Sequence, residues 1–239
     1  MNIVIDIGNT FSKLGIYING KREKVYHGLS DYDLIGHVKD FEQGRGILAT
    51  VREDFRFLED HLKIEVLVLD SETRLPITNR YETPATLGVD RLAGVVGANS
   101  IFPDTNCLVI DVGTAITYDF INQEGEFLGG GISPGPEMRL KALNNYTDNL
   151  PMIESLGSEG LIGKSTRGSI LSGVFEGTWA EIQGIISGYN EKFSELQVIM
   201  CGGGLNHFES RIKEPIFVAP EIVLDGLNRI LEYNVGEES

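Results

Sequence analysis

Residues 3–10 read Ile-Val-Ile-Asp-Ile-Gly-Asn-Thr, and residues 108–115 read Leu-Val-Ile-Asp-Val-Gly-Thr-Ala. The second copy follows the first at an offset of 105 residues, measured from Asp6 to Asp111. Each copy is a short apolar run that ends in Asp-x-Gly and a polar side chain, and a second alternating run comes next. This pattern predicts a β-hairpin with a tight first turn. Two copies predict two related lobes that could face one ligand, for which a polyphosphate is the obvious candidate.

The order of predicted elements indicates an α/β protein. Strand-like and helix-like stretches are interleaved, and a hairpin at the start of each half makes the sheets mixed. Because residues 102–106 (Phe-Pro-Asp-Thr-Asn) break the preceding helix, we expect two lobes, residues 1–105 and 106–239. The predicted strands are 3–7, 13–18, 46–50, 65–69, 107–111, 116–121, 197–201 and 215–218. The predicted helices are 53–62, 85–99, 137–147, 166–192 and 221–233.

Composition excludes several classes of protein. With 20 basic and 35 acidic residues the net charge is −15, which repels nucleic acid and anionic membranes. A nucleotide stays compatible, because backbone N–H groups, hydroxyls and a metal ion can hold it locally. The chain has neither an apolar run long enough for a membrane span nor the features of a signal peptide. Cys107 and Cys201 border apolar runs and are predicted to be reduced core residues of a cytosolic protein. The scattered histidines offer no zinc-ligand spacing.

The first Asp-x-Gly turn has two interpretations. Gly8 permits a positive φ or a close approach of the backbone to phosphate, Lys13 adds charge, and Asp6 at a strand end could hold Mg²⁺. The alternative is a hairpin turn that Asp and Asn side chains stabilise by bonding to the backbone. Two copies at one offset favour function.

The second copy carries hydroxyls and carboxylates at alternating positions. Thr114 and Thr117 lie near Asp111 and Asp119 in sequence, which suits phosphate and hard cations. Ordinary turn chemistry and strand preference would explain the same residues. The glycine-dense stretch 129–135 follows. It is predicted to be a loop that presents N–H groups at a helix N-terminus, or else a plain connection.

Two further stretches are candidate substrate contacts. In residues 83–91, Asp90 and Arg91 come early in a predicted helix whose remainder is small and apolar, so they could serve as base and clamp, or form a surface ion pair. Residues 163–166 imitate a phosphate loop, but position 158 is Ser where that motif requires Gly. Thr166 is therefore predicted to be a helix N-cap, or a substrate contact. Glycines in the helix that follows suggest close packing on another helix, including across a dimer interface.

Four motifs in this order resemble those of a type III pantothenate kinase: Asp-x-Gly-Asn-Thr, Leu-Gly-x-Asp-Arg, Asp-x-Gly-Thr-Ala-x-Thr and Gly-Gly-x-Ile-x-Pro-Gly. The resemblance covers nearly the whole chain. That family belongs to the acetate and sugar kinase, Hsp70 and actin superfamily. The implied fold is a pair of duplicated actin-like (ribonuclease H-like) lobes with mixed sheets flanked by helices. The implied protein is a cytoplasmic homodimer that uses ATP with Mg²⁺ and requires K⁺ or NH₄⁺.

The resemblance also implies roles for individual residues. Asp90 would be the catalytic base toward the primary hydroxyl of pantothenate. Asp111 would hold the monovalent cation, and Asp6 would help to hold Mg²⁺. The implied ATP contacts are Asp6, Ile7, Gly8, Asn9, Thr10, Phe11, Ser12, Lys13 and Thr114. The implied pantothenate contacts are Tyr81, Gly88, Val89, Asp90, Arg91 and Thr166.

Two alternatives stay open beside this interpretation. One is another kinase or phosphatase of the same superfamily, for which the chain is small and Leu87-Gly-x-Asp-Arg91 fits poorly. The other is a non-catalytic regulator that retains the fold. The Asp90-Arg91 pair and both Asp-x-Gly turns speak against a regulator.

Overall fold

The computed structural model describes residues 1–9, 11–50, 52, 55–212 and 215–236. Thr10, an expected ATP contact, lies outside the described residues. Internal contacts divide the chain into two compact units. The first consists of Met1–Asp104, Glu124–Leu128 and Glu221–Ser239, and the second of Thr105–Gln123 and Gly129–Pro220. The predicted lobes, residues 1–105 and 106–239, stay a prediction.

The first unit is built on a five-stranded mixed sheet with the order β3-β2-β1-β4-β5. Its central strand β1 pairs antiparallel with β2 and parallel with β4. Alternate isoleucines of β1 lie in a hydrophobic cluster with residues of the first two helices. The strands are β1 Asn2–Ile7, β2 Ser12–Ile18, β3 Lys21–Leu29, β4 Arg45–Thr50, β5 Glu65–Val68 and the short β6 Thr78–Asn79. The helices are α1 Asp31–Val38, α2 Arg56–Glu59, α3 Val89–Ile101 and α6 Ile222–Val235, with a 3₁₀ turn at Pro84–Thr86.

The second unit repeats this strand order as β9-β8-β7-β10-β11. Its central strand β7 pairs antiparallel with β8 and parallel with β10. The strands are β7 Cys107–Val112, β8 Ala115–Ile121, β9 Glu126–Pro134, β10 Gln197–Cys201 and β11 Ile216–Val218. The helices are α4 Pro136–Asn145 and α5 Thr166–Lys192, with 3₁₀ turns at Gly203–His207 and Glu209–Arg211. Strand β9 begins in the first unit, where Glu126 and Phe127 pair with β6.

The sequence repeat is therefore a repeat of topology. In both units the Asp-x-Gly motif closes the central strand, the following strand returns antiparallel, and a later strand joins the other edge in parallel. Gly20 and Gly125, which obey the same 105-residue offset, have φ values of 74° and 71°. Such values are ordinary only for glycine, so the turns that end the two hairpins follow the same rule. The predicted α/β class with mixed sheets flanked by helices is confirmed.

The structure differs from the sequence-based elements at several places. Strand β3 and helix α1 were not predicted. Of the predicted helix 53–62, only Arg56–Glu59 is helical among the described residues. The predicted loop 129–135 is wrong, because strand β9 continues through the glycines to Pro134. A side chain at Gly130 would place its Cβ 1.6 Å from the carbonyl oxygen of Tyr118, so this glycine permits strand packing.

Both cysteines are buried and free, as predicted. In the register of β7 and β10, Cys107 lies opposite Gln197 and Cys201 lies opposite Asp111, at the two ends of the strand pair. Burial raises the pKa of the Cys107 thiol to about 12, which keeps it protonated at neutral pH. No helix in the described part of the chain has both the length and the apolar composition that crossing a bilayer requires.

Candidate active site

The turn between β1 and β2 brings the first Asp-x-Gly motif to the carboxyl end of the sheet. Half-buried Asp6 lies opposite Lys13 of β2 and Ala49 of β4. Ile7 is fully buried, so only its backbone can face a ligand. The Gly8 N–H donates to the carbonyl oxygen of Phe11 at 3.2 Å, and a Cβ on Gly8 would lie 3.0 Å from that oxygen. Glycine is thus required here by close approach, and its φ is not positive.

The polar residues of this turn differ in exposure. Asn9 and Phe11 are exposed, whereas Ser12 is fully buried and its hydroxyl accepts from Arg52 Nη2 at 3.4 Å. Lys13 Nζ lies 3.9 Å from the Glu221 carboxylate, at the start of α6. The exposed Asn9 amide and the partly exposed Lys13 ammonium are therefore the side chains of this turn best placed to meet phosphate.

A second group of predicted residues converges at the start of α3. Gly88 is the N-cap, and a Cβ there would lie 2.5 Å from Oδ1 of Asp90, so the carboxylate folds back over the glycine. That oxygen also accepts from the Arg91 N–H at 2.8 Å. Asp90 is half-buried and lies in the first turn of the helix. This packing explains why glycine precedes the acid by two positions.

Arg91 ties this group to Tyr81. The Arg91 side chain is buried, with its guanidinium carbon 5.5 Å from the centre of the Tyr81 ring. The other partner of Tyr81 is Phe127, whose ring stacks on it at 6.0 Å with 5° between the planes. The structure therefore brings Tyr81, Gly88, Asp90 and Arg91 together within the first unit. Val89 is the first helical residue between them.

The second Asp-x-Gly motif ends β7 in the second unit. Half-buried Asp111 lies opposite Thr117 of β8, and the exposed Thr114 stands at the tip of the turn. The turn is closed by Gly113 N–H, which donates to the carbonyl oxygen of Ala115 at 2.9 Å. Gly202 has a φ of 95°, and a Cβ there would lie 2.3 Å from Asp111 Oδ1 and 2.5 Å from the Val112 carbonyl oxygen. Glycine is therefore needed at position 202 both for its φ and for the close approach of its backbone to these two oxygen atoms.

Thr166 lies elsewhere in the second unit. Its predicted role as helix N-cap is wrong, because Ser165 is the N-cap and accepts from Gly168 N–H at 3.0 Å, while Thr166 is the first helical residue. The exposed Thr166 lines a cavity of about 1150 Å³ between α4 and α5. This cavity is mostly apolar, with Met138, Leu143 and Ile170 in its wall.

The single carboxylate at the end of each central strand suits a metal ion that arrives already bound to nucleotide phosphates. Among the described residues, no three His, Cys, Asp or Glu side chains cluster as a metal cage. Mg²⁺ commonly binds through one or two carboxylates plus phosphates and waters, which suits a single acid such as Asp6. At the second turn, an Asp111 carboxylate oxygen and the Val112 carbonyl oxygen lie close together beside Gly202.

Sequence reasoning missed some residues that shape these groups. Phe127, which stacks on Tyr81, sits in an unpredicted strand 46 positions away in sequence. Glu221, which approaches Lys13, is more than 200 positions from it. Neither had a local signal, because only the fold brings these pairs together.

Comparison with known proteins places the chain among its relatives. The family model of type III pantothenate kinase matches residues 47–188. The type III pantothenate kinase of Cytophaga hutchinsonii is 46% identical over 98% of this chain and 100% of that protein. Among solved structures, a Campylobacter jejuni chain assigned to the Baf family of transcriptional activators is 21% identical, with a TM-score of 0.65 over 98% and 99% of the two chains. MreB5 of Spiroplasma citri bound to ADP is 14% identical, with a TM-score of 0.53 over 99% and 97%. The structural likenesses show an actin-like fold, and the sequence match shows that the chain belongs to the type III pantothenate kinase family.

Proposed function

We propose that the protein transfers the γ-phosphoryl group of ATP to the primary hydroxyl of pantothenate. The product would be 4'-phosphopantothenate, in the first step of coenzyme A biosynthesis. The observation that carries this proposal is the group of Gly88, Asp90, Arg91 and Tyr81 in a chain of this family. A fixed carboxylate beside a buried guanidinium and an aromatic ring suits a small acceptor that has a hydroxyl and an anionic end.

Asp90 is the general base in this proposal. The Arg91 N–H donates to one carboxylate oxygen, for which Gly88 leaves space, and the other oxygen would accept a proton from the attacking hydroxyl. Val89 and Tyr81 would line the acceptor site, and Arg91 would contribute positive charge to it. Thr166 is proposed as a further acceptor contact.

The ATP contacts proposed are Asp6–Lys13 in the first unit and Thr114 in the second. Phosphoryl transfer depends chiefly on positioning and charge stabilisation, which backbone N–H groups of a tight turn and an ammonium supply. Asp6 would hold Mg²⁺ together with the nucleotide phosphates, and the metal would neutralise developing charge. The surplus of acidic residues still disfavours nucleic acid and anionic membranes as partners. A cytoplasmic location agrees with ATP as substrate and with two free thiols.

The monovalent cation is proposed to bind at Asp111 with K⁺ or NH₄⁺ as occupant. We expect Asp111→Ala to raise the K⁺ concentration for half-maximal activation by about tenfold or more, since the variant loses the proposed carboxylate ligand. The measurement is the rate of ADP release at fixed Mg-ATP over a K⁺ titration, with Na⁺ or choline holding the ionic strength constant. An unchanged K⁺ response in the variant would remove Asp111 from this role.

A homodimer is proposed to form along helix α5. Small residues on one side of this helix are all exposed, at Gly173, Gly177, Ala180, Gly184 and Gly188. No atom lies within 4 Å of the Cβ position at any of the four glycines. Large apolar side chains of the same unit are also exposed, among them Ile132 (66%), Tyr146 (88%), Leu161 (80%) and Ile162 (77%). An exposed stripe of small helical residues, together with exposed apolar side chains in the same unit, favours a second copy of the chain as partner.

We expect Gly184→Leu to convert the dimer to a monomer at micromolar concentration, measured by sedimentation velocity. Leucine is about 1 kcal/mol more favourable than glycine in a helix, and the space around Gly184 is open, so the monomer should fold normally. Gln183→Leu is the matched control, because position 183 is also exposed but lies about 100° around the helix. A dimer that survives Gly184→Leu would place the interface elsewhere.

The substrate assignment is tested by pantothenate-dependent release of ADP. Purified protein with Mg²⁺ and K⁺ should release ADP with pantothenate and should release only background ADP with glucose, N-acetylmannosamine or acetate. Turnover with a sugar but not with pantothenate would favour another kinase of the superfamily. No turnover with any acceptor, together with tight ATP binding, would favour a regulator that retains the fold.

A further inference from the structure

The guanidinium of Arg139, in the second unit, donates hydrogen bonds to the end of strand β9. Arg139, on α4, donates from Nε to the Pro134 carbonyl oxygen at 2.8 Å and from Nη2 to the Ser133 hydroxyl at 2.8 Å. Its side chain is only 21% exposed. Two parallel contacts from one planar group fix both the strand end and the first turn of the helix, which a single-point ammonium could not do.

Glu181, on the long helix α5, completes this cluster. Its carboxylate pairs with Arg139 Nη2 and accepts from the Tyr118 hydroxyl at 2.8 Å. Burial acts to raise the pKa of Glu181, but hydrogen bonds from Ser133, Arg139 and Tyr118 outweigh it and hold the pKa below the usual value. The carboxylate is therefore ionised at neutral pH, and α4, α5, β8 and β9 meet at one charge pair.

Arg139 contacts the segment of residues 133–135, and this segment packs directly against the second Asp-x-Gly turn. The N–H of Gly135 donates to the Thr114 carbonyl oxygen at 3.0 Å. A Cβ on Gly135 would lie 2.3 Å from the Gly113 carbonyl oxygen and 2.5 Å from that of Thr114. The tip of the turn can thus keep its place only while residues 133–135 keep theirs.

We propose that Arg139, oriented by Glu181, is a positioning residue that holds the Gly113–Thr114 turn in the shape that binds ATP. This inference rests on the proposed role of Thr114 as an ATP contact. The chain of contacts is short: guanidinium to Pro134 and Ser133, the peptide of Gly135 to Thr114, and Thr114 to nucleotide. Every contact in this series between two groups of the protein itself is a hydrogen bond of ordinary length.

Two other roles for Arg139 make different predictions. The residue also lines the cavity beside Thr166, so it could bind the carboxylate of the acceptor directly. That role would change the KM for pantothenate and leave the KM for ATP unchanged. A purely structural role would lower the melting temperature and change neither KM. Because Nε and Nη2 are already engaged by protein groups, we favour positioning.

The test compares Arg139→Met and Glu181→Gln with Lys141→Met as matched control. Lys141 is an exposed cation of the same helix, which pairs with Glu137 at 4.0 Å. We expect Arg139→Met to raise the KM for ATP about tenfold while the KM for pantothenate changes less than twofold. Glu181→Gln should raise the KM for ATP by less than Arg139→Met does. The double variant should raise it no more than Arg139→Met alone, because both residues act through the same contacts. Lys141→Met should behave as wild type. Arg139→Lys should recover little, because lysine cannot hold Pro134 and Ser133 together.

Two readouts do not depend on the acceptor. Titration calorimetry with a non-hydrolysable ATP analogue should show the same tenfold loss of affinity in Arg139→Met. Amide hydrogen exchange should accelerate at residues 113–115 in that variant and not in the core strands. If Arg139→Met fails to fold, Glu181→Gln gives the same comparison with a smaller expected effect. A raised KM for pantothenate alone, or lower thermal stability with unchanged ATP affinity and exchange, would overturn the proposal. A wild type that binds ATP but does not phosphorylate pantothenate would refute the substrate assignment without touching this one.

Discussion

Asp90→Asn is expected to lower kcat by about 10²- to 10⁴-fold, the usual contribution of a positioned general base. Asparagine keeps the size of the side chain, and its carbonyl oxygen can still accept from the Arg91 N–H, so the start of α3 should stay intact. What it loses is the capacity to take a proton from the attacking hydroxyl. The measurement is steady-state ADP release at saturating pantothenate, together with the melting temperature.

The control for this variant is Glu82→Gln, which removes an exposed carboxylate next to Tyr81. We expect that variant to keep nearly full activity. Affinity for a non-hydrolysable ATP analogue should be unchanged in Asp90→Asn, because the Asp6–Lys13 turn does not include this residue. Activity close to wild type in Asp90→Asn would exclude Asp90 as the base.

Gly226→Ala is expected to destabilise the protein by about 1–3 kcal/mol or more, although alanine is the better helix former. Gly226, on α6, faces α3, and a Cβ there would lie 1.8 Å from the Ala93 carbonyl oxygen and 2.8 Å from the Gly97 nitrogen. Both of these atoms belong to the backbone of α3, so the two helices would have to move apart. Because α3 begins at the residues around Asp90, the same shift would displace the proposed base, and activity should fall at temperatures below the melting transition.

A helical glycine with free space around it is the matched comparison. Gly36, on α1 of the same unit, has no atom within 4 Å of its Cβ position. Gly36→Ala should therefore stabilise the protein by up to about 1 kcal/mol through helix propensity alone. Urea unfolding curves measure the change in the free energy of unfolding for each variant, and the two changes should have opposite signs. Equal stabilisation by both substitutions would contradict the close packing of α3 on α6.

Local pattern was sufficient for the central strands and for the repeat. Apolar runs that end in Asp-x-Gly predicted β1 and β7, and the alternation after them predicted β2 and β8 within one residue at each end. Buried strands leave a clear record in sequence because both faces need apolar side chains. The constant offset then made the duplicated topology a prediction that the two strand orders confirm.

The helix and strands that the sequence did not predict are exposed, short, or shaped by close contacts between backbones. Strand β3 is rich in charge and mostly exposed, as an edge strand can be, so it shows little alternation. Helix α1 is short and owes its start to Ser30 and Asp33, which bond to each other's backbone N–H at 3.2 and 3.3 Å. Residues 129–135 of strand β9 were predicted to be a loop because they are rich in glycine. In the fold, Gly130 permits close packing on Tyr118, a contact that the local sequence does not show.

For the site, motifs identified the chemistry but not its supports. The sequence placed Asp90 and Arg91 early in a helix, as the structure does, because the signals for that helix start are local. Phe127 behind Tyr81, Glu221 near Lys13 and the Arg139–Glu181 pair all join residues from distant segments. Contacts of that kind carry no local signature, so the sequence could suggest candidate site residues and not the distant residues that pack against them.

The central claim is that a carboxylate-assisted transfer puts phosphate on the primary hydroxyl of pantothenate. The most direct measurement is the ³¹P NMR spectrum of the product formed from Mg-ATP and pantothenate, with proton coupling retained. We expect a phosphomonoester signal split by the two methylene protons of the neighbouring carbon, formed by wild type and barely formed by Asp90→Asn. An acyl phosphate that hydroxylamine traps, a phosphomonoester on the secondary hydroxyl, or no phosphorylated pantothenate at all would contradict it.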